Sequence, residues 1–471
     1  MEYTELSAYD VPSGEVTAWI PTAEPAAWNG DERELSHNHE QHLATAEAGS
    51  WIGSIMRLPG RLDTDALSLA MRAWTGRHEA LRGGVEETAT GWRRRILAPA
   101  DVSVQATSLG RFDGDGARSS IADLFAERID PKAWPYVVFA TVSEPDTDGF
   151  TLAFGADHGV MDAYSQLLWF EEIASLYEAA LAGESFESLA APTTGSHLDH
   201  SAQERVVGAE MSLESESVQV WRDWLTSADG TPRFADFPVP GITDVRGSDE
   251  GEGASQAEPL PQASMSQWLG DHRQARVLGE LCKSAGVSFQ AGMMGAMAHV
   301  LRAQHGVEQM RFVAPMHTRY TAEHAVAIGW YVGLVPVTID IAGAATLPEV
   351  AGRVQAALEE TRSLVRQPFA RVADLLDVDD APHFVVTFVD TRFISGAEHW
   401  NAWEGRTLRA PVNADDEVYF WLVRDRDGVN VSTRYPETVA AERVVRDLIG
   451  GMSALLAELG GLGTADLEGT A

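Results

Sequence analysis

One stretch, TLAFGADHGVMDA at residues 151–163, predicts a strand, a turn and the start of a helix in immediate succession. The apolar strand covers Thr151 to Phe154 and breaks at Gly155, a residue type that lets another group approach the backbone closely. His158 and Asp162 stand four residues apart in the turn. Beyond the turn, apolar residues recur at spacings of three and four and mark one buried helix face: Leu167, Phe170, Ala174, Tyr177 and Leu181. The pattern therefore places a histidine at the mouth of a strand-to-helix turn.

Two interpretations of this turn stay open on spacing alone. In the first, His158 is a general base, because an imidazole titrates near neutral pH and can take a proton from a hydroxyl or amine, while Asp162 orients the turn. In the second, His158 is a structural histidine beside Asp162, which caps the helix. The rest of the chain has to decide between them.

Composition and charge restrict the class of protein. The 471 residues suffice for two or three domains, and 45% hydrophobic residues support packed cores. The net charge of −35 disfavours nucleic acid and anionic membranes as partners. No apolar run approaches the ~20 residues of a membrane helix, and the acidic N-terminus lacks the features of a secretion signal, so we expect a cytoplasmic protein without stable membrane insertion. The single cysteine, Cys282, excludes an intramolecular disulfide and a four-cysteine zinc site.

Three histidines, His37, His39 and His42, fall within SHNHEQHL at residues 36–43. Imidazole is a common metal ligand, but no cysteine or further ligand pattern accompanies these residues, and we expect no metal site. The favoured interpretation is the start of a helix, with Ser36 as its cap and Glu40 further in.

The remaining patterns give a coarse division of the chain. Residues 1–35 are rich in Pro, Gly and acidic residues, with Trp19 as an anchor. Residues 191–207 are polar and predict a linker, and residues 227–262 lack periodicity and predict a long excursion. Periodic segments predict helices at 63–79, 273–284, 290–304, 347–365 and 440–459, and strands at 51–58, 136–142, 149–156, 311–315, 333–341, 384–389, 418–424 and 429–435.

Four stretches, in order, resemble the condensation-domain superfamily, which includes nonribosomal peptide condensation domains, polyketide-associated acyltransferases and chloramphenicol acetyltransferase. DHGVMDA at 157–163 is similar to that family's H-H-x-x-x-D-G motif. The other three are VSFQAGMMGAMAHVLRAQHG at 287–306, VAPMHTRYTAEHAVAIGWYVGLVPV at 313–337 and RQPFARVADL at 366–375. The opening of the chain, with SHNHEQHL and SWIGSIMRLPGRLD, is more similar to freestanding polyketide-associated and acyl-trehalose acyltransferases than to a synthetase domain.

The resemblance is not complete at the motifs. Asp157 stands in place of the first motif histidine, Ala163 in place of the motif glycine, and Gly333 in place of the Asn of a G-x-x-x-N block. A closing D-F-G-W-G-type motif is not evident around residues 415–421. His158 and Asp162, which in this family do the chemistry and hold the turn, are kept.

The resemblance implies an α/β fold of two chloramphenicol-acetyltransferase-like lobes that form a V-shaped pseudodimer with a tunnel at the junction. The N-terminal lobe would cover residues 1–190, a linker 191–207 and the C-terminal lobe 208–471. The side chains expected to line the tunnel, although aromatic residues in such blocks are as often core, are Asp157, Trp330, Tyr331, Phe388 and Trp421.

The activity implied is acyl transfer from a coenzyme A or carrier-protein thioester to a hydroxyl or amine acceptor, without a cofactor, in natural-product or lipid biosynthesis. His158 would deprotonate the acceptor, and the Gly159 N–H would stabilise the oxyanion. In this family the arginine at the position of Arg319 pairs with the aspartate at Asp162, since a guanidinium holds a carboxylate through two hydrogen bonds. Cys282 is a poor nucleophile candidate, and no G-x-x-x-x-G-K-[ST] stretch suggests activation by ATP.

Three alternatives accompany this interpretation. A catalytically inactive module that recruits a carrier protein is favoured by the changes at Asp157, Ala163 and Gly333, and is disfavoured by the retained His158 and Asp162. An epimerisation-type relative would use the same histidine on an aminoacyl thioester. A thioesterase-like side activity is the third.

Overall fold

The computed structural model describes residues 1–46, 48–89, 91–144, 147–191, 194–226, 230–242 and 259–461. These residues form two large mixed sheets and a small three-stranded sheet, with helices packed against them. The α/β class expected from the resemblance is confirmed.

The strands of the described residues are β1 Tyr3–Glu5, β2 Gly14–Thr22, β3 Asn29–Asp31, β4 Ile52–Leu58, β5 Gly83–Thr88, β6 Gly91–Ile96, β7 Ser103–Phe112, β8 Val137–Ser143, β9 Phe150–Ala156, β10 Gln262–Asp271, β11 Gln309–His317, β12 Val332–Asp340, β13 Phe384–Asp390, β14 Arg406–Arg409, β15 Val418–Arg424 and β16 Gly428–Pro436. The helices are α1 His37–Thr45, α2 Thr64–Arg77, α3 Glu79–Arg82, α4 Gly114–Arg128, α5 Ala163–Leu181, α6 Phe186–Leu189, α7 His197–Ala209, α8 Glu216–Leu225, α9 His272–Ser284, α10 Phe289–His305, α11 Ala322–Ala325, α12 Leu347–Thr361, α13 Phe369–Leu376 and α14 Val439–Gly461.

The first large sheet has the order β1-β14-β4-β9-β8-β2-β7. Strand β9 lies in its middle, antiparallel to both neighbours, and all seven of its residues are buried. A strand covered on both faces reads as a continuous apolar run rather than an alternating one, as the sequence of β9 does. The central position of β9 gives the turn that follows it a rigid base.

Helix α5 leaves that turn and packs against α2 and β4. Its N-cap is Asp162, whose carboxylate accepts a hydrogen bond from the Ser165 N–H at 2.7 Å. The predicted face of α5 is buried as far as Tyr177, whereas Leu181 near the end is exposed. Burial of this face fixes the direction in which the helix departs from the turn.

The second large sheet has the order β10-β16-β15-β13-β11-β12. Helices α9, α10, α12 and α14 cover one side of it and form the largest apolar core. Helix α10 is buried almost all round, as its small and apolar residues predict, and its methionines Met293, Met294 and Met297 lie in this core.

The two halves of the chain do not divide cleanly at residue 190. Strand β14, from the predicted C-terminal lobe, lies in the first sheet between β1 and β4. Residues 197–207 of the segment predicted to be a linker belong to α7, and residues 192–193 lie outside the described residues. Ser196 caps α7 by accepting from the Asp199 N–H at 3.0 Å. Much of the buried face of α7 is polar, so the spacing of apolar residues does not predict this helix.

Residues 1–35 are more ordered than their composition predicts. They contain β2, a nine-residue strand of the first sheet. Trp19 on β2 is buried as expected, and its indole N–H donates to Thr141 Oγ1 at 3.0 Å. Residues 230–242 of the predicted excursion are irregular but bury Phe234 and Phe237; residues 227–229 and 243–258 lie outside the described residues.

Among the described helices, none is long and apolar enough to cross a membrane.

The irregular segment 230–242 is tied to the second sheet by His383. The His383 Nδ1 lies 2.8 Å from Asp236 Oδ1, and its Nε2 lies 3.0 Å from Asp380 Oδ1. Burial opposes the charged form, but the Asp236 hydrogen bond and the charges of Asp380 and Asp416 outweigh it and raise the pKa of His383 to about 9.

We predict that this cluster stabilises the fold below pH 6.5, the ordinary pKa of histidine, and that its contribution is lost as the pH rises through about 9. Replacing His383 by Asn should therefore lower Tm near pH 6.5 and change it little well above pH 9. Thermal melts of both proteins across that range check this. An equal loss of Tm at both ends would show that the imidazolium charge is not what holds the segment.

Candidate functional site

His158 lies in a single 3-10 turn, His158–Val160, between β9 and α5. Its ring is half-buried, with Nδ1 on the enclosed side, where it has no hydrogen-bond partner among the described residues. Burial, followed by the neighbouring ring of His42, lowers the pKa of His158 below its ordinary 6.5. The imidazole is therefore neutral at pH 7, which is the form that accepts a proton.

Hydrogen bonds hold both the backbone N–H and the carboxylate of Asp157. Its N–H donates to the Tyr136 carbonyl at 2.8 Å, next to the last pairing of β8 with β9. Its Oδ2 lies 2.8 Å from Nε2 of His42 on α1, and its Oδ1 accepts from the Gly159 N–H at 2.8 Å. The Gly159 N–H, predicted to stabilise an oxyanion, donates to Asp157 in this structure, so that role would require the donor to change partners.

The motif aspartate, Asp162, is held by donors from both halves of the chain. Arg319 donates Nη1 to Oδ2 at 2.5 Å and Nη2 to Oδ1 at 3.0 Å, and both side chains are buried. The N–H of Tyr331 donates to Oδ2 at 3.0 Å. Burial alone would raise the pKa of Asp162, but Arg319 and the N–H donors hold it below its usual value. The structure thus places Arg319 where the resemblance expects it.

The loop after β11 makes several further hydrogen bonds to residues of the first half of the chain. Gly329 donates its N–H to Ser165 Oγ at 3.2 Å, and the Ile328 N–H donates to His78 Nδ1 at 3.2 Å. His197 Nε2 lies 3.1 Å from both the N–H and the carbonyl of Trp330. These contacts fix residues 328–331 against the turn that carries His158.

The five residues predicted to line a tunnel are not all brought together. Trp330 lies against His158, with ring centroids 4.7 Å apart, and against His42 at 5.7 Å. Tyr331 is buried under Arg319, whose guanidinium lies 4.5 Å from the Tyr331 ring.

The remaining two aromatic residues lie on the second sheet. Trp421 stacks on Tyr3, with ring centroids 5.9 Å apart. The Tyr3 hydroxyl donates to the carbonyl of Ala163 at 3.5 Å, so Trp421 is connected to the start of α5 only through Tyr3. Phe388 packs on Phe289 at 6.0 Å beside the apolar core of the second large sheet, away from His158 and Trp330.

Two departures from the motifs, and the cysteine, have local explanations. A Cβ at Gly333 would collide with the carbonyl oxygen of Val365, so this position cannot hold an asparagine without a backbone shift. Ala163 is the first residue of α5 and packs against the apolar core that α2 and α5 form with the first large sheet. Cys282 is buried, and burial raises the pKa of its thiol to about 11, far from that of a reactive thiolate.

The predicted helix start at Ser36 is confirmed, since Ser36 Oγ accepts from the His39 N–H at 3.1 Å. The three histidines of α1 go to separate places: the His37 Nδ1 lies 2.8 Å from Arg205 Nη1, His39 is buried, and His42 reaches Asp157. Among the described residues, no three His, Cys, Asp or Glu side chains are arranged to hold a metal ion.

Sequence reasoning missed His42, Ser165 and His197 as parts of this site. Ser165 Oγ accepts from Arg319 Nη2 at 2.8 Å, and Ser165 lies in the first turn of α5, where a serine gives no sign of such a contact. For His42 a signal existed, because the acidic residue at motif position 157 calls for a cation or donor nearby, and SHNHEQHL is rich in them.

The chain matches a family model described as Condensation domain over residues 40–391. It is 24% identical to the acyltransferase PapA3 of Mycobacterium tuberculosis over 83% of this chain and 80% of that protein. It is also 24% identical to the trehalose-2-sulfate acyltransferase PapA2 of Mycobacterium bovis over 96% of each chain.

Solved structures show the same fold. A PapA2 acyl transferase aligns with a TM-score of 0.83 and 22% identity, over 98% of this chain and 100% of the other. The first condensation domain of the calcium-dependent antibiotic synthetase aligns with a TM-score of 0.65 and 16% identity, over 94% and 100%. The condensation-domain fold expected from the four stretches is confirmed.

We predict that Asp162→Ala and Arg319→Ala each destabilise the protein by about 3–5 kcal/mol, because each removal leaves the other charge buried without its partner. The double variant should cost less than the sum of the two, since contacting residues couple. Urea unfolding of the wild type and the three variants measures the coupling.

An Asp162 that acted only as a helix cap would cost about 1 kcal/mol when replaced by Ala. Small losses that add in the double variant would contradict the buried pair. Asp113→Ala provides a matched control, because Asp113 caps α4 in the same way, accepting from the Gly116 N–H, but is exposed and makes no ion pair among the described residues.

Proposed function

Since the chain belongs to the condensation-domain family, we propose that it is an acyltransferase that uses His158 as its general base. The observation that carries this proposal is the state of His158: a half-buried imidazole, kept neutral, on a turn whose backbone is held at Asp157 and Asp162. The substrates are an acyl thioester, on coenzyme A or a carrier protein, and an acceptor that carries a hydroxyl or amine.

The proposed step conserves atoms and charge without a covalent enzyme intermediate. The acceptor oxygen or nitrogen attacks the thioester carbonyl carbon as His158 removes its proton. The tetrahedral intermediate then collapses, the C–S bond breaks, and the thiol leaves with a proton returned by the imidazolium. The product is an ester or an amide, and the sulfur leaves as the free thiol of the carrier or coenzyme A.

A neutral histidine suits this step better than a permanently charged residue would. A base is most effective when its pKa lies near the working pH and its neutral form predominates. Burial and His42 push the pKa of His158 down, whereas Asp157 and Asp162 push it up, so the opposing contributions leave a base that is neutral but still able to accept a proton.

The acceptors to test first are sugars. Relatives at 24% and 23% identity are named as a trehalose-2-sulfate acyltransferase and a 2'-acyl-2-O-sulfo-trehalose (hydroxy)phthioceranyltransferase. A disaccharide hydroxyl, with or without a sulfate group, is therefore the leading acceptor class, and the products would be acylated glycolipids. The competing proposal, an inactive module that recruits a carrier protein, loses support from the structure of the turn, because the altered Asp157 is fully partnered.

We predict that His158→Ala folds normally and loses roughly a hundredfold or more in turnover, the usual contribution of a positioned general base. Mass spectrometry of products from an acyl thioester and an acceptor panel measures the loss. His305→Ala, a change of an exposed histidine at the end of α10, serves as the control and should retain wild-type turnover. Turnover near that of the wild type in a folded His158→Ala protein would refute the assignment of the base.

We further predict that the donor is a thioester and that ATP is not needed. Purified protein should form product from an acyl-coenzyme A or an acylated carrier protein alone, and should form none from the free acid with ATP. Product that appears only with ATP and free acid would overturn the donor assignment. Binding of an acylated carrier protein without any product, across the acceptor panel, would instead favour the recruiting module.

A further inference from the structure

Asp157, which stands in place of the first motif histidine, contacts a histidine of the distant helix α1. Asp157 is 1% exposed, and a carboxylate so buried needs charged or hydrogen-bonding partners. His42 supplies one, with its Nε2 2.8 Å from Oδ2, although 115 residues separate the two in the chain.

The pair reaches the catalytic turn through the backbone. Oδ1 of Asp157 accepts from the Gly159 N–H at 2.8 Å, so the carboxylate spans from α1 to the peptide directly after His158. A Cβ at Gly159 would lie 2.7 Å from that oxygen and 3.1 Å from the His39 ring, so glycine is needed for this close approach. The role of Gly159 is to let Asp157 hold the turn.

His42 also contacts Trp330, whose ring packs against His158. Trp330 and His42 pack edge to face with ring centroids 5.7 Å apart, and Trp330 also lies against His158 at 4.7 Å. Helix α1 therefore meets His158 in two ways, by hydrogen bonds through Asp157 and by packing through Trp330. A shift of His42 would move both.

We propose that His42 is a positioning residue that orients His158 through Asp157 and so takes the place of the missing first motif histidine. This inference rests on the proposed function of His158 as a base. His42 itself need not touch the substrate. It keeps the Asp157 carboxylate in place, and that carboxylate keeps the His158 turn in the geometry that proton transfer requires.

The test compares His42→Ala, His42→Gln, Asp157→Asn and the double variant His42→Ala/Asp157→Asn. We expect His42→Ala to lower kcat by roughly tenfold to a hundredfold, the cost of misplacing a catalytic group, with KM for both substrates unchanged. His42→Gln, which keeps a donor near Oδ2, should recover most of the loss. The double variant should be no slower than the slower single variant, because both changes break one connection.

His37→Ala is the matched control. His37 lies on the same helix and bonds Arg205 rather than the turn, so its loss tests the general effect of damaging α1. Equal effects of His37→Ala and His42→Ala on kcat, or wild-type kcat in His42→Ala, would overturn the inference. If His42→Ala fails to fold, His42→Gln and Asp157→Asn carry the comparison.

A second readout does not depend on turnover. The titratable groups acting on His158 are His42 from α1, Asp157 on its own turn and Asp162 at the start of α5, which Arg319 faces. Loss of His42 should raise the titration midpoint of His158, and Asp157→Asn should lower it. NMR of histidine-labelled protein, with His158→Ala for assignment, measures both shifts.

Turnover and the titration of His158 together distinguish a failure of the proposed function from a failure of the positioning role of His42. A wild-type protein that transfers no acyl group from any thioester refutes the proposed function, and the titration of His158 in the variants still tests the pair. Midpoints that stay at the wild-type value in both His42→Ala and Asp157→Asn overturn the positioning role, whatever the turnover.

Discussion

The buried ion pair between Asp162 and Arg319 joins the two halves of this protein beside the turn that carries His158. Asp162 begins α5 in the first half, and Arg319 follows β11 in the second. Their two hydrogen bonds, together with the Tyr331 N–H on the same carboxylate, fix the loop after β11 against the turn that carries His158. Two charges are expensive to bury, so the pair adds little net stability compared with apolar side chains, and its visible effect is on geometry. Here the geometry is that of Trp330 over His158.

A second layer of contacts holds the His158 turn from the opposite side. His42 and Asp157 hold the peptide that follows His158, and Trp330 packs on both histidine rings. Asp157 thus holds the start of the turn and Asp162 its end, while Trp330 from the second half of the chain packs on the His158 ring. Loose catalytic groups lose rate steeply with small displacements, so several anchors around one imidazole fit a proton-transfer role.

Sequence reasoning reached the elements whose signals are local. The strand β9, the turn and α5 were predictable because apolar runs and helical spacing report burial directly, and the Ser36 cap and the buried α10 followed from the same rules. The α/β fold followed from resemblance rather than from periodicity. Helix α7 was not predictable, because polar side chains form much of its buried face, and β14 was not, because a four-residue strand gains its place from partners far away in sequence.

The site shows the same division. His158 and Asp162 were visible as a motif, and Arg319 through the family's pattern, but the partners of Asp157 were not. His42 contacts Asp157 only once α1 has packed against the turn. The Gly159 N–H is bound locally, because Asp157 caps the 3-10 turn two residues earlier. Local patterns predict which residues are special, whereas their hydrogen bonds depend on long-range packing.

The most direct test of the central claim is the pH dependence of acyl transfer in a single turnover, with the thioester donor and acceptor both saturating. If His158 is the base, the rate should follow one ionisation with a midpoint below 6.5, reaching a plateau at higher pH and falling as the imidazole becomes protonated. The same profile should be absent from the residual rate of His158→Ala. A wild-type rate that shows no ionisation in this range, or a midpoint that persists without His158, would contradict the account.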